Sequence, residues 1–454
     1  MNIKNNNKIG VHIPEILLPA KDVDISNWCV VACDQYTSQP EYWEEVKDRV
    51  GDKPSTLHMI FPEVYLEDED NQERIQSIVT NMQQYLKDNI MQAQKPGLIY
   101  IDRKTSHAAS RKGLMLSLDL EEYDYNKGSQ SLIRATEGTV LERIPPRVKV
   151  RENAPIELPH IMVLIDDPDR TVIEPIAKKA DTLEKLYDVE LMMDGGHIVG
   201  YQVDSQEIIN DTISALEKLA QQDVFAGKYG VDNQKNVLLF AVGDGNHSLA
   251  TAKACWENVK PSLSEEEKQS HPARYALVEL VNVHDDGLAF EPIHRVVFNI
   301  DMAEFLEEMV VYYNNNDCDA SYDIFDNKAA LESGVVELKK QPGVHVFSFV
   351  SKDKLGAMSV KCPQFNLEVG TLQAFLDQYI AEHNEAKIDY IHGEEAVYSL
   401  GTKEGNVGFL LPPMDKHDLF KTVIVDGVLP RKTFSMGEAE EKRFYLECRK
   451  IIKD

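Results

Sequence analysis

No apolar run approaches the ~18 residues that a membrane-spanning helix requires, and the polar start Met1-Asn2-Ile3-Lys4-Asn5-Asn6-Asn7-Lys8 lacks the apolar segment of a secretory signal. Cysteine is scarce. Six thiols, at 29, 33, 255, 318, 362 and 448, are scattered along the chain. Cys29 and Cys33 are close enough to share a metal, but no second close pair accompanies them, so free thiols in a reducing compartment are expected. Basic residues are outnumbered: 48 Lys and Arg against 76 Asp and Glu leave a formal charge of −28. Such a surface repels a phosphate backbone, and no local basic run offsets it, which argues against a nucleic-acid partner. It does not exclude a small anion held in one focused pocket. Familiar site patterns are missing too: no Gly-x4-Gly-Lys-Ser/Thr loop, no Gly-x-Gly-x-x-Gly turn, no Gly-x-Ser-x-Gly elbow and no His-Glu-x-x-His helix. These absences point to a cytoplasmic protein without a membrane or nucleic-acid partner. Whether copies of the chain associate stays open.

What is present is an ordinary globular composition, 43% hydrophobic and 27% charged, over 454 residues, enough for two or three domains. The chain reads as α/β or α+β with a mixed sheet core. An N-terminal region spans 1–160, an α/β core 161–300, and a smaller α+β region 301–454. In the first region, Ser38-x-x-Glu41 has the pattern of a capping box opening a helix. A longer helix carries Ile75, Ile78, Val79, Met82, Leu86 and Ile90 on one face. Leu98 to Ile101 and Gly113 to Leu120 read as strands. From residue 160 onward strands and helices alternate: a strand at 161–165, a helix from about Thr171 to Tyr187, a strand at 197–203 and a helix at 207–221. A buried strand follows from Tyr275 to Val283. Asp194-Gly195-Gly196-His197 reads as a hairpin turn. Val344 to Val350 and Ala357 to Lys361 read as paired strands, Thr371 to His383 as a helix, and the C-terminus as a charged helix. Trp28, Trp43 and Trp256 lie on apolar faces and belong to the core.

The stretch richest in chemistry is 237–253. Val237 to Val242 is a buried strand, Gly243-Asp244-Gly245 a tight turn, and Leu249, Ala252, Trp256 and Val259 recur at helical spacing after it. Strand, glycine turn and helix N-terminus present backbone N–H groups and a positive dipole end to an anion. Two readings stand side by side. In one, Asp244 or Asn246 only caps the helix and His247 is incidental. In the other, the turn binds an anion, with Asp244 as Mg²⁺ ligand or base and His247 as a donor to a phosphoryl oxygen, which suits phosphoryl transfer or hydrolysis. A second polar stretch holds Arg134, Glu137, Thr139, Arg143, Arg147 and Arg151, and a third holds Glu291, His294 and Arg295. Asp34 follows a short apolar run, and Arg431-Lys432-Thr433 follows a proline. Each of these is equally readable as solvated surface.

Gly243-Asp244-Gly245-Asn246-His247-Ser248-Leu249-Ala250-Thr251-Ala252 resembles the signature of the family called domain of unknown function 1015. Arg111-Lys112-Gly113-Leu114, Arg134 to Thr139, Gly287-Leu288 with Pro292-Ile293-His294-Arg295, Phe409 to Pro412 and Leu429 to Phe434 resemble further family motifs in the same order. Ala135-Thr136 stands where the family usually has Arg-His, and Asn246 and Ser248 replace the commoner His and Arg. The turn is also similar to that of the ParB-like superfamily, which includes chromosome-partition proteins, sulfiredoxin and free serine kinases. That resemblance implies a Mg²⁺-dependent phosphotransferase acting on a small hydroxy amino acid, with L-serine as acceptor and ATP, ADP or pyrophosphate as donor. Gly243, Gly245, Asn246, Ser248, His247, Thr139, His294 and Lys432 would hold phosphate or substrate. Asp244 would bind Mg²⁺, Glu137 or Asp34 would take the hydroxyl proton, and Arg134, Arg143 and Arg295 would clamp charge. The alternatives are a phosphatase acting on phosphoserine or a similar ester, and a ParB-like, nucleotide-gated binding module.

Overall fold

A computed structural model of the protein describes all residues except 1–7, 38, 67, 69, 127, 140, 142, 143, 233 and 454. The Ser38 cap and Arg143 expected above lie outside the described residues. The chain forms two compact units, residues 1–289 with 436–454, and residues 290–435.

The first unit is built on a ten-stranded mixed sheet. Its strands are β1 (Val11–His12), β2 (Leu98–Lys104), β3 (Arg111–Asp119), β4 (Tyr123–Asp124), β5 (Ile133–Ala135), β6 (Met162–Ile165), β7 (Glu184–Glu190), β8 (His197–Val203), β9 (Phe240–Asp244) and β10 (Tyr275–Asn282). The order is β7-β8-β2-β3-β10-β6-β9-β5-β4, with β1 added beside β3. Strands β6 and β10 are buried along their whole length, as central strands covered on both faces must be. Alternation along β2 shows the two covers. Leu98 and Tyr100 enter one apolar core with Leu114, Leu116, Val163 and Trp256. Ile99 and Ile101 enter the other with Met115, Trp28, Trp43 and Met82.

Helices α1 (Pro40–Val50) and α2 (Asn71–Lys87) supply side chains to the second of these cores. The amphipathic α4 (Gln206–Leu219) and α5 (Asn246–Val259) cover the first. Helix α3 (Ile144–Arg151) packs against α5. All three tryptophans are fully buried, as expected. Gln39, without a side-chain hydrogen bond, occupies the N-cap of α1.

Two expectations are corrected. The region 171–187 is not one helix: it holds a short helix, Glu174–Ala177, a single turn at Ala180–Thr182, and then β7. Tyr187 and Val189 are buried while Asp188 and Glu190 are exposed. That period of two marks a strand with one face inward. The charged C-terminus is not a helix either. After one turn at Ala439–Glu441 it runs extended, pairing Phe444–Tyr445 with Val30–Val31 and Arg449–Lys450 with Ile156–Glu157. Its charges are buried in pairs: Arg443 with Glu447 and, at 3.1 Å, with Glu279, and Arg449 with Glu157 at 2.7 Å. Charges matched in this way are tolerated inside a core.

The second unit has its own antiparallel sheet. Six of its seven strands are β11 (Phe290–Phe298), β12 (Asp319–Ile324), β13 (Val344–Ser351), β14 (Leu355–Lys361), β15 (Lys387–His392) and β16 (Asn406–Leu410), in the order β12-β14-β13-β16-β11-β15. The expected β13–β14 pairing is present. Helices α6 (Met302–Asn315) and α8 (Glu368–Glu382), introduced on either side of α7 (Lys328–Leu338), close its core around Phe305, Phe347 and Phe409.

Candidate functional site

The turn after β9 is shaped by its pairing. Met162 lies opposite Asp244 and Val163 opposite Val242, so Gly243 is the extra residue of a bulge. A Cβ on Gly243 would sit 2.9 Å from both Leu164 Cγ and Met436 Sδ. Gly245 has φ +78° and is the N-cap of α5, a conformation that glycine adopts at little cost. A Cβ there would lie 3.0 Å from Ile161 Cα. Its N-cap is a glycine, which has no side chain to cap with, and its first turn carries no acidic residue. The first N–H groups of an α-helix have no partner within the helix itself, and here the positive end of the dipole is not offset by a first-turn carboxylate.

Asp244 is anchored beside this end. Its Oδ1 accepts the Gly245 N–H at 2.8 Å and its Oδ2 pairs with Lys442 Nζ at 3.2 Å. Asn246 Nδ2 donates to the Val242 carbonyl at 3.4 Å, while its Oδ1 is buried with no hydrogen-bond partner among the described residues. Parallel pairing of β5 with β9 runs to Ala135 opposite Val242, and the next residue, Thr136, donates from Oγ1 to Val242 O at 2.6 Å. Thr139 Oγ1 is likewise buried without a partner among the described residues. Glu137 and His247 are half-buried.

A second group of side chains meets the first turn of α5. Ser248 Oγ lies 3.0 Å from His160 Nε2, and Asp34 Oδ2 lies 3.7 Å from the same nitrogen. The other ring nitrogen, Nδ1, is 2.7 Å from the Tyr445 hydroxyl, which also donates to Cys33 Sγ at 3.1 Å. Gln35 Nε2 donates to Asp34 Oδ1 at 2.9 Å. A serine and an aspartate on one ring nitrogen do not make a charge-relay triad, which needs them on opposite nitrogens.

The two carboxylates here are driven apart. Burial raises the Asp34 pKa, but His160, the Gln35 hydrogen bond, Lys442 and Arg147 outweigh it, and the net shift is downward. Glu63, ion-paired with Arg147, is moved upward because burial exceeds the effect of that arginine. Divergent carboxylates in one site are a signature of acid–base chemistry. Cys33 is pushed up by burial and then by Asp34 and Glu63, so its thiol stays protonated and is a poor nucleophile.

Of the residues expected from the sequence, Gly243 to Ser248 form the end of β9 and the start of α5, Asp34 meets this segment through His160, and Glu137 and Thr139 follow β5 in the chain. Arg134 is placed differently. Its guanidinium is buried and donates to the carbonyls of Ser131, Asn236 and Val237, at the start of the β9 segment and away from the turn. It ties strands together and has no charge to spare for a ligand. His294, Arg295 and Lys432 belong to the second unit. There, His294 Nδ1 accepts the Leu411 N–H at 3.1 Å, and burial lowers its pKa to about 4. Arg295, fully buried, donates to Gln373 and to the Ile293 and Arg431 carbonyls and lies 5.2 Å from the Tyr390 ring centroid. A neutral acceptor and an arginine so engaged do not form a phosphate clamp. Lys432 is exposed with φ +56°. Sequence reasoning missed His160, Lys442, Tyr445 and Glu63. His160 had only its place before a buried strand as a signal, and Lys442 sat in a tail that read as a charged surface helix.

No three His, Cys, Asp or Glu side chains converge as a metal cage among the described residues. Mg²⁺ commonly takes one or two carboxylates together with substrate phosphates, and Asp244, beside an open helix N-terminus, fits that pattern. Nor is any helix among the described residues long and apolar enough to cross a membrane.

No match was found among curated proteins. Among solved structures, a conserved hypothetical protein from Pyrococcus furiosus is 10% identical, covering 74% of this chain and 95% of its own, with a TM-score of 0.36. A free serine kinase in complex with AMP is 11% identical, covering 77% and 95%, with a TM-score of 0.37. SbnI with a C-terminal truncation, from Staphylococcus aureus, is 8% identical, covering 71% and 83%, with a TM-score of 0.33. TM-scores this low do not establish a common fold. The family model described as "Protein of unknown function (DUF1015)" matches residues 16–379, and the chain belongs to that family.

Proposed function

We propose that the first unit is a Mg²⁺-dependent phosphotransferase acting on a small hydroxylated acceptor, with a free hydroxy amino acid such as L-serine as the first acceptor to test. One observation carries this reading. The N-terminus of α5, entered through Gly245, and the Lys442–Asp244 pair lie within a helical turn of Ser248, which shares His160 with Asp34. This supports reading the turn as an anion site beside an ionised carboxylate, and phosphoryl transfer needs positioning and charge neutralisation more than covalent help.

In this reading the Asn246–Ser248 N–H groups, His247, the Thr139 hydroxyl and Lys442 hold the donor phosphates. Asp34, held ionised by its neighbours, takes the proton from the acceptor hydroxyl as the new O–P bond forms. The bond to the leaving phosphate breaks with its electron pair going to the donor product. His160 orients Asp34 and, through Ser248, the acceptor. Mg²⁺ held by the donor phosphates and Asp244 would neutralise charge. Kinship with ParB-like proteins belongs to the same reading, and ATP, ADP and pyrophosphate are all chemically suitable donors.

The test is to incubate the full chain with L-serine, Mg²⁺ and each donor in turn and to assay phosphoserine by mass spectrometry. Formation of phosphoserine with at least one donor is expected. Release of inorganic phosphate from phosphoserine, with no transfer from any donor, would instead make the protein a phosphatase.

A further inference from the structure

The first unit holds a pocket of about 150 Å³ that begins where the proposed catalytic groups end. Met59, Phe61, Met82, Val150, Ala154 and Ile156 wall it, and all but Val150 are buried. At one end it reaches His160, Ser248 and Tyr445. The charged side chains on its edge are paired, Glu63 with Arg147 and Arg151 with Glu157 at 2.6 Å. The Thr251 hydroxyl is committed to the His247 carbonyl at 2.7 Å. Apolar side chains therefore make up most of the lining.

Close-packed interiors leave few voids larger than a water molecule. A pocket of this volume, open to solvent on one side and lined mainly by apolar side chains, has room for a guest the size of benzene. Here such a space opens onto Ser248 and His160, and Asp34 Oδ2 lies 3.7 Å from His160 Nε2. A ligand that fills it presents an apolar body to Met82 and Ala154 and a hydroxyl to His160.

We infer that the acceptor is an alcohol with an apolar body of about benzene size, seated in this pocket with its hydroxyl at Asp34, His160 and Ser248. The inference rests on the phosphotransfer reading and narrows it. L-Serine reaches the polar end alone, leaves the apolar walls uncovered, and is accordingly a weak acceptor.

Binding of benzyl alcohol and of L-serine to the full chain, measured by ligand-observed NMR titration, tests this. Benzyl alcohol is expected to bind at least ten-fold more tightly than L-serine. Ala154→Phe and Val150→Phe, which fill the pocket, are each expected to weaken benzyl alcohol binding at least ten-fold. If neither variant folds, crystals of the unaltered protein under xenon decide: a peak between Met82 and Ala154 supports the pocket, and its absence overturns it. No binding of benzyl alcohol, or binding untouched by both substitutions, overturns the inference while transfer to L-serine can still stand. Binding that both substitutions abolish, with no product from any donor and acceptor, keeps the apolar site and overturns phosphotransfer.

Discussion

Replacing Gly245 by alanine tests whether the turn is built for its ligand. The residue has φ +78°, and an added Cβ would lie 3.0 Å from Ile161 Cα and 3.1 Å from Ile161 Cγ1. The left-handed conformation costs a residue with a Cβ about 1–2 kcal/mol. Crowding against backbone that cannot rotate away adds about 1–2 kcal/mol. A loss of roughly 2–4 kcal/mol lowers the melting temperature of a unit this size by about 5–15 °C. Gly138→Ala is the control: its Cβ meets nothing within 4 Å and its φ is not positive, so it should be neutral or stabilise by about 0.4–1 kcal/mol. Scanning calorimetry with and without inorganic phosphate reads both effects, since a ligand bound to the native state raises the transition. Gly245→Ala should melt early and lose its response to phosphate, while Gly138→Ala keeps both. A Gly245→Ala protein with unchanged melting temperature and phosphate response would refute the account of this turn.

Asp34→Asn should lower kcat by roughly 10²–10⁴-fold, the usual worth of a positioned general base, with little change in KM for the donor; an equal loss in KM alone would mark a binding residue. Its pH signature has a definite sign. The folded pKa of Asp34 is depressed, so its stabilisation is present above the unfolded value and is lost as pH falls through the folded one. The variant should thus be less stable at neutral pH, and the difference should close in acid denaturation curves. Lys442→Met removes a charged partner and should weaken inorganic phosphate binding by about 10–100-fold, the worth of one charge-assisted hydrogen bond; isothermal titration at fixed ionic strength measures it. In the second unit, burial holds His294 at about 4 instead of 6.5, so the unfolded chain binds the extra proton between those values. Stability is lost as pH falls through that window, by about 3 kcal/mol in all, and His294→Gln should flatten that acid limb in urea melts.

Local patterns told the truth where one segment carries both the structure and the chemistry. A strand, a glycine turn and a helix start were legible between Val237 and Leu249, because buried strands and glycine turns leave their marks within a few residues; the strand itself runs Phe240–Asp244, so Val237 to Leu239 precede it, and Gly243 and Asp244 belong to it and not to the turn. The 197–203 strand, the β13–β14 pairing and the three core tryptophans were legible for the same reason. The rest depended on distant partners. Lys442 reaches Asp244 only because the tail folds back as an extended strand alongside Val30–Val31. Its arginines and glutamates looked like a solvated helix because nothing local reveals that Arg443 and Arg449 will be matched in the core by Glu279, Glu447 and Glu157. Arg134 looked free for the same reason, since the carbonyls that hold it come from residues 131, 236 and 237. Helical spacing over 171–187 was a weaker signal than the alternation of Tyr187 and Val189 that pairs β7 with β8.

The central claim is that the N-terminus of α5 is where phosphate sits. A crystal of the protein grown with ADP and Mg²⁺ tests it directly. The account predicts a phosphoryl group within hydrogen-bond distance of the Asn246, His247 and Ser248 N–H groups and of Lys442 Nζ, with Asp34 facing it. A nucleotide ordered elsewhere, with this turn empty, would contradict it.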